Sequence, residues 1–95
     1  MADYALAVRP ELDGKLSKLC RRNRKRFEII MGKAGEIVRN PQHYKNLNAP
    51  LQHWKRVHID KHFVLAFSVD ENTKTVTLED YDHHDRIYKH RRGRP

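Results

Sequence analysis

The 95-residue sequence lacks the features that would assign it to a secreted, thiolate-metal or membrane-spanning class. Its single cysteine, Cys20, cannot form an internal disulfide or a zinc site with several cysteines, which fits a reducing compartment. No segment reaches the ~18 consecutive apolar residues of a membrane-spanning helix. The first residues also lack the charged-then-apolar order of a signal peptide. We therefore expect a soluble protein located in the cytoplasm.

Acidic residues are also in the minority. The chain has 20 lysines and arginines against 12 aspartates and glutamates, which gives a formal net charge of +8 and a pI near 9.9. Such an excess of positive charge indicates a polyanionic partner such as RNA. A solvated basic surface and an acidic protein partner remain alternatives. A membrane surface fits less well, because no helix combines a basic run with a broad apolar face.

The order of the apolar residues predicts one small domain. Residues 3–9 alternate as in a strand, and the next apolar residues, from Leu12 to Cys20, recur at helical spacing. A second helical pattern runs from Phe27 to Val38 and ends before Pro41, because the residue before a proline is disfavoured in a helix. The cationic run Arg21–Arg26 joins the two patterns, which should therefore form an antiparallel helical hairpin.

Three strand patterns follow, at residues 51–59, 63–70 and 75–81. Asp60-Lys61 is short enough to make a tight turn between the first two. The predicted fold is therefore α+β, a small β-α-α-β-β-β domain in which an antiparallel sheet carries the helical hairpin on one face. We expect this domain to span residues 1–89 and to be followed by a basic tail at residues 90–95.

Four histidines in the last part of the chain suggest chemistry; they are His58, His62, His83 and His84. Because side chains alternate along a strand, Arg56 and His58 should face away from the helices. RNA cleavage without a metal requires a base for the 2′-hydroxyl, an acid for the 5′-oxygen and cations for the phosphorane. Histidine exchanges protons near neutrality, so converging imidazoles would supply the first two. The cations available nearby are Arg56, Lys61 and Arg86.

Each of these features has a structural alternative. His58 could be a packing residue, and the pair His83-His84 could make surface hydrogen bonds. His58 and His62 have a spacing that suggests zinc only on a helix, and here a turn separates them. We therefore predict no metal and no other cofactor. The run Arg21–Arg26 is as consistent with a solvated junction as with an RNA-docking patch.

Two segments, Trp54–Phe67 and Asp82–Tyr88, together with this order of elements, resemble the RelE/ParE toxin superfamily. The similarity extends from Tyr4 to about Lys89. Several members, the RelE-type toxins, are ribosome-dependent mRNA endonucleases that an antitoxin neutralises by wrapping the toxin. The resemblance implies a toxin of a type II toxin–antitoxin system that cleaves ribosome-bound mRNA. Its partners would be the antitoxin, the ribosome and mRNA, with no membrane involved.

The resemblance also implies residue roles. Val64 stands where many members have an arginine, which removes one expected phosphate ligand. In the YafQ-like branch, His58 and His84 match histidines of the site, Tyr88 matches a late aromatic residue, and His62 stands in place of an aspartate. The catalytic candidates are His84, His58, Arg56, Tyr88, His62, His83 and Asp85. The RNA-binding candidates, with Trp54 available to stack on a base, are Lys55, Lys61, Arg86, Trp54, Arg21, Arg22, Arg24, Lys25 and Arg26.

Two other functions remain open. The first is a ParE-like inhibitor of DNA gyrase, which has the same fold and no nuclease site. Val64 weakly favours it, whereas the histidine cluster argues against it, since binding alone requires no proton carriers. The second is an inactive family member that serves only as the partner of an antitoxin.

Overall fold

The chain folds with its strands and helices in the predicted order. The computed structural model describes residues 3–87, so the predicted tail at 90–95 lies outside the described residues. The elements are β1 (Ala5–Val8), α1 (Pro10–Arg22), α2 (Arg24–Arg39), a short 3₁₀ turn (Pro41–His43), β2 (Lys55–His58), β3 (Phe63–Asp70) and β4 (Thr75–His83). This confirms the predicted α+β fold. Within residues 3–87, none of the helices has the length and apolar content of a bilayer span.

The sheet has four strands in the order β1-β4-β3-β2. β2, β3 and β4 form the predicted antiparallel meander, whereas β1 runs parallel to β4, from Ala5 opposite Thr75 to Val8 opposite Leu78. The predicted antiparallel sheet is therefore a mixed sheet, because β1 joins the meander in parallel. The alternation in residues 3–9 shows which face of a strand is buried, but it contains no information on the direction of the partner strand.

A single residue, Asn23, separates the two helices. Its backbone N–H donates to the carbonyl of Leu19 (2.7 Å), which ends α1. Its Oδ1 accepts a hydrogen bond from the N–H of Arg26 (3.1 Å), which caps α2. The cationic run is thus divided between the last turn of α1 and the first turn of α2.

Both helices bury one side against the sheet. The residues of this core are Leu12, Leu16, Ile30, Ala34, Ile37, Leu65, Phe67, Val76, Leu78 and Tyr81. The helical members recur at the spacing that predicted the helices. Cys20 is a free thiol, half-buried at the end of α1, in agreement with a packing role.

An irregularity in the pairing of β3 with β4 decides which residues face this core. Phe67 pairs with Leu78, and the adjacent Ala66 pairs with Asp80. Glu79 is therefore an extra residue in β4, a β-bulge. Residues that pair directly across strands share a face of the sheet.

The bulge keeps two aspartates out of the core. In a regular strand, Asp80 and Asp82 would lie on the same face as Leu78, which packs against the helices. Because Glu79 resets the alternation, Tyr81 reaches the core instead, and the two aspartates lie on the opposite face. The sequence predicted a regular strand at 75–81 and did not reveal this change.

The face of the sheet opposite the helices is partly covered. A second hydrophobic cluster lies there, formed by Leu47, Leu51, Trp54, Ala66 and Ile87. The prediction that cover lies on one face only is therefore incomplete. The predicted strand at 51–59 is also too long. Residues 51–54 form a turn, in which the N–H of Trp54 donates to the carbonyl of Leu51, and β2 begins only at Lys55.

Lys15 anchors α1 to the second half of β4. β1 pairs with β4 only as far as Leu78, so in the described residues the later part of β4 has a strand neighbour on one side only. The ammonium group of Lys15 donates to the carbonyl of Tyr81 (2.8 Å) and to Oδ1 of Asp80 (3.1 Å). It also lies 3.9 Å from Oδ2 of Asp82. One side chain therefore connects the helical layer to this edge of the sheet.

The bulge can be tested by deletion. Removing Glu79 leaves each remaining residue of β4 on its present face, so the domain should still fold. It should lose about 2 kcal/mol of unfolding free energy, because the glutamate accepts hydrogen bonds from Ser68 (2.7 Å) and Arg9 (3.1 Å). Deleting Leu65, in the regular part of β3, inverts the faces of part of that strand and should prevent folding. Urea denaturation measures the stability of both deletion variants. If both are equally unfolded, Glu79 is not the extra residue of a bulge.

Candidate active site

A cleft of about 260 Å³ lies on the face of the sheet opposite the helices. Its lining comes from β2, the β2–β3 turn, the start of β3, the loop before β2 and the helical turn at 84–87. The lining residues are Leu47, Arg56, His58, Lys61, Val64, His84 and Ile87. The second hydrophobic cluster forms one wall, through Leu47 and Ile87.

The register of the sheet places the polar groups of this cleft. Arg56 pairs with Ala66 and His58 with Val64, so both side chains lie on the face that carries the cleft. Nη1 of Arg56 lies 3.4 Å from Nδ1 of His58. Lys61 enters from the turn beyond β2.

The described lining combines two permanent cations with two imidazoles and contains no carboxylate. Guanidinium and ammonium groups bind phosphate oxygens, and imidazole can accept or donate a proton near neutrality. The floor of the cleft between these four side chains is formed by Val64, which is apolar and only 2% exposed. The cleft therefore has the chemistry of an anion site with proton carriers at its edge.

His84 belongs both to the cleft and to a group of stacked histidines. The ring of His83 stacks on that of His84 at 4.7 Å between centroids and on that of His62 at 5.6 Å. Oδ1 of Asp85 lies 3.1 Å from Nδ1 of His84, and its Oδ2 lies 3.7 Å from Nδ1 of His83. The four residues, which were all predicted as catalytic candidates, are thus adjacent, although His84 alone among them lines the cleft.

The β2–β3 turn is held by Asp60. Its carboxylate accepts hydrogen bonds from the backbone N–H of His62 (2.7 Å) and of Phe63 (2.9 Å), and Oδ2 lies 2.7 Å from Nη1 of Arg26. The N–H of His62, the guanidinium of Arg26 and the N–H of Phe63 lower the pKa of Asp60 from 3.8 to about 2. The turn that presents Lys61 is therefore fixed to the start of α2.

Two predicted RNA contacts are not available as predicted. Trp54 is 6% exposed and packs in the second hydrophobic cluster, so it cannot stack on a base. The nearby aromatic residue Tyr81 is likewise buried, with 7% exposure in the main core. Lys55 alternates with Arg56 and donates to the carbonyl of Tyr44 (3.1 Å), so it stabilises a loop instead of lining the cleft.

The remaining predicted residues lie elsewhere. Arg86 lines a separate groove with Arg22 and Lys15. Tyr88 lies outside the described residues. The cations of the helix junction point in several directions: Arg21 lines a groove between the helices, Arg24 pairs with Glu28 (3.3 Å), and Lys25 and Arg26 border Asp60.

Two of the three apolar residues of the lining, Leu47 and Ile87, were not predicted from the sequence. Ile87 is the apolar residue in an otherwise polar and charged stretch from Asp82, which is a detectable signal of burial. Leu47 lies in a loop without periodicity, and the sequence contains no comparable signal for it.

Comparison with known proteins identifies the family. No family model matches the chain. A Methanosarcina mazei protein without a functional name is 64% identical over 85 residues, which cover 90% of this chain and 99% of that protein. A Methanocaldococcus jannaschii protein named "Putative toxin RelE4" is 56% identical over 86 residues, which cover 90% of this chain and 92% of that protein. The chain belongs to the RelE toxin superfamily. The resemblance seen in Trp54–Phe67 and Asp82–Tyr88 is thereby confirmed.

Solved structures of this superfamily share the fold. The toxin–antitoxin complex RelBE2 of Mycobacterium tuberculosis contains a chain with 22% identity and a TM-score of 0.70, covering 87% of this chain and 93% of that one. The YoeB–YefM complex of Staphylococcus aureus contains one with 17% identity and a TM-score of 0.73, covering 87% and 99%. The RelE toxin fold thus tolerates wide divergence of sequence.

The Asp60 contacts predict a dependence of stability on pH. A carboxylate whose pKa is lowered on folding stabilises the protein above its unfolded pKa and loses this effect as the pH falls through the folded value. Asp60→Asn should therefore be less stable than the native chain at pH 7, and the difference should shrink from about pH 4 to about pH 2. Chemical denaturation across this range measures it, with Asp3→Asn as an exposed control. A difference that is independent of pH would contradict the assignment.

Proposed function

We propose that this protein is the toxin of a type II toxin–antitoxin system and that it cleaves mRNA on the ribosome. The observation that supports the proposal is the cleft in which Arg56, His58, Lys61 and His84 come together from separate segments. Binding alone would require the cations only. Proton carriers beside them are what a phosphodiester cleavage requires.

The proposed reaction is attack of a ribose 2′-hydroxyl on the adjacent phosphate. An imidazole, of His84 or His58, accepts the hydroxyl proton, and the 2′-oxygen forms a bond to phosphorus. Arg56 and Lys61 stabilise the extra negative charge of the phosphorane. The bond from phosphorus to the 5′-oxygen then breaks, and this oxygen takes a proton from the other histidine or from Tyr88. The products are a 2′,3′-cyclic phosphate and a 5′-hydroxyl.

The proposed partners follow from the family and from charge. The complexes RelBE2 and YoeB–YefM, whose toxins share this fold, are toxin–antitoxin complexes, and we propose an antitoxin for this chain. The net charge of +8 supports docking on ribosomal RNA, with the Arg21–Arg26 run as one contact. The proposed location is the cytoplasm, where ribosomes are found.

Replacement of the histidines tests the chemistry. His84→Ala and His58→Ala should each lower cleavage by about 10²- to 10⁴-fold, the usual contribution of a general acid or base. His53→Ala, an exposed histidine outside the lining of the cleft, is the matched control and should cut normally. Primer extension on a message translated in vitro measures the cuts, and circular dichroism checks the fold. If His84→Ala cleaves the message as fast as the native chain, His84 is not the general acid or base.

Replacement of the arginine tests the phosphate site separately. Arg56→Ala should lose both charge and geometry, whereas Arg56→Lys keeps the charge and loses the planar fork that binds two phosphate oxygens. We expect cleavage to fall in the order native, Arg56→Lys, Arg56→Ala, at least tenfold overall. The same primer-extension assay measures this order. Equal activity of all three would exclude Arg56 as a phosphate ligand.

A ParE-like inhibitor of DNA gyrase is the second candidate. The observation that favours it is Val64, which is buried in the cleft at the position where the resemblance implies an arginine. Such a protein would leave translated messages intact and would block supercoiling by purified gyrase. If the protein cleaves translated messages and does not affect gyrase, it is an mRNA endonuclease and not a gyrase inhibitor.

A further inference from the structure

Three histidines lie together at one end of the sheet. His62 precedes β3, His83 ends β4, and His84 begins the helical turn that follows. One nitrogen from each ring can be chosen such that all three lie within 4.8 Å of one another. These imidazoles come from two segments that are distant in sequence, so the fold brings them together.

Backbone contacts hold the three positions. Phe63 pairs with His83, and the N–H of His84 donates to the carbonyl of His62 (2.8 Å). On the other side, the N–H of His62 donates to Oδ1 of Asp60 (2.7 Å). The main chain at all three histidines is thus fixed by strand pairing and by the turn.

The spacing of the ring nitrogens is suitable for a metal ion. In a tetrahedral zinc site with bonds of about 2.0–2.1 Å, neighbouring nitrogens are about 3.3 Å apart. The present separations are at most 4.8 Å, and the stacked rings reach the tetrahedral geometry by turning out of the stack about their side-chain bonds. His62 is exposed, and the side chains of His83 and His84 are 33% and 45% exposed, so an ion has access.

Asp85 adds the contact that metal-bound histidines commonly have. Its Oδ1 lies 3.1 Å from Nδ1 of His84, where it can accept the ring N–H and leave the other nitrogen for an ion. Three neutral nitrogen ligands with a carboxylate behind one of them suit Zn²⁺ and similar ions, and they do not suit Mg²⁺ or Ca²⁺.

We propose that His62, His83 and His84 form a binding site for one divalent transition-metal ion such as Zn²⁺, with Asp85 orienting His84. The sequence predicted no metal, because His62 has the spacing of a zinc ligand only with His58, and a turn separates these two residues. The structure instead groups His62 with the two histidines that follow β4.

Occupancy of this site has a consequence for the cleft, which rests on the proposed function. His84 lines the cleft, and an imidazole nitrogen bound to a metal can no longer accept a proton. The ion should therefore inhibit RNA cleavage reversibly. In this scheme the ion takes no part in the cleavage reaction.

The binding experiment is a titration of the full chain, free of any histidine tag, with Zn²⁺ by calorimetry and with Co²⁺ by absorption spectroscopy. We expect one ion per chain and the intense visible bands of four-coordinate Co²⁺. Binding should weaken from about pH 7 to about pH 5, because the ligands must be unprotonated.

Variants assign the ligands. His62→Gln and His83→Gln should each lower the affinity at least tenfold, and Asp85→Asn should lower it by about 10- to 100-fold, as expected for a residue that orients a ligand. His43→Gln and His53→Gln remove exposed histidines elsewhere and should bind as the native chain does. Native-like binding by His62→Gln, with its fold confirmed by circular dichroism, would overturn the proposal.

The cleavage experiment tests the consequence alone. Zn²⁺ should reduce cleavage by the native chain at least tenfold, and a zinc-selective chelator should restore it. The ratio of rates without and with Zn²⁺, compared within each protein, should be near one for His62→Gln. Binding without inhibition supports the site and refutes the consequence. Binding by a chain that does not cleave RNA supports the site and refutes the proposed function.

Discussion

The pairing of β3 with β4 is the constraint on which the rest of the structure depends. It extends from Phe63 opposite His83 to Asp70 opposite Thr75, with one extra residue at Glu79. This register decides which side chains of both strands face the helices and which face the cleft. It also determines that His62 meets His84, because these residues lie just beyond the first pair. The same strand register therefore determines which residues form the core and which form the candidate site.

The distribution of charge is unfavourable for the fold in places. The first turn of α2 contains Arg24, Lys25 and Arg26 and no acidic residue, although the positive end of the helix dipole disfavours cations there. Part of this cost is offset by contacts: Arg26 pairs with Asp60 and Arg24 with Glu28. Sequences optimised only for stability place acidic residues at this position. A basic helix start is therefore consistent with the proposed docking on RNA.

Local sequence patterns predicted the local structure well. Helical spacing located the two helices, and alternation located the meander, because each pattern reports which side of an element is buried. The alternation also placed Arg56 and His58 on the correct face, since Val57 and Ile59 do pack towards the helices.

Features that depend on partners distant in sequence were not predicted. Glu79 reads as an ordinary strand residue, and its role as a bulge is visible only against Ala66 and Phe67. The burial of Trp54 depends on Ile87, more than thirty residues later. The grouping of His62 with His83 depends on the strand register, whereas the sequence suggested a comparison of His62 only with His58, across the turn.

Within the described residues 3–87, the short β1 leaves the second half of β4 without a second strand neighbour, and Lys15 lies at this edge of the sheet. Unsatisfied main-chain groups at such a position invite another chain to add a strand, which leads to self-association. Here the ammonium group of Lys15 donates a hydrogen bond to the carbonyl of Tyr81. Its charged side chain therefore occupies the place where an added strand would pair. A cation on the first helix thus protects a small basic protein against edge-to-edge aggregation, at a position that hydrophobic packing leaves open.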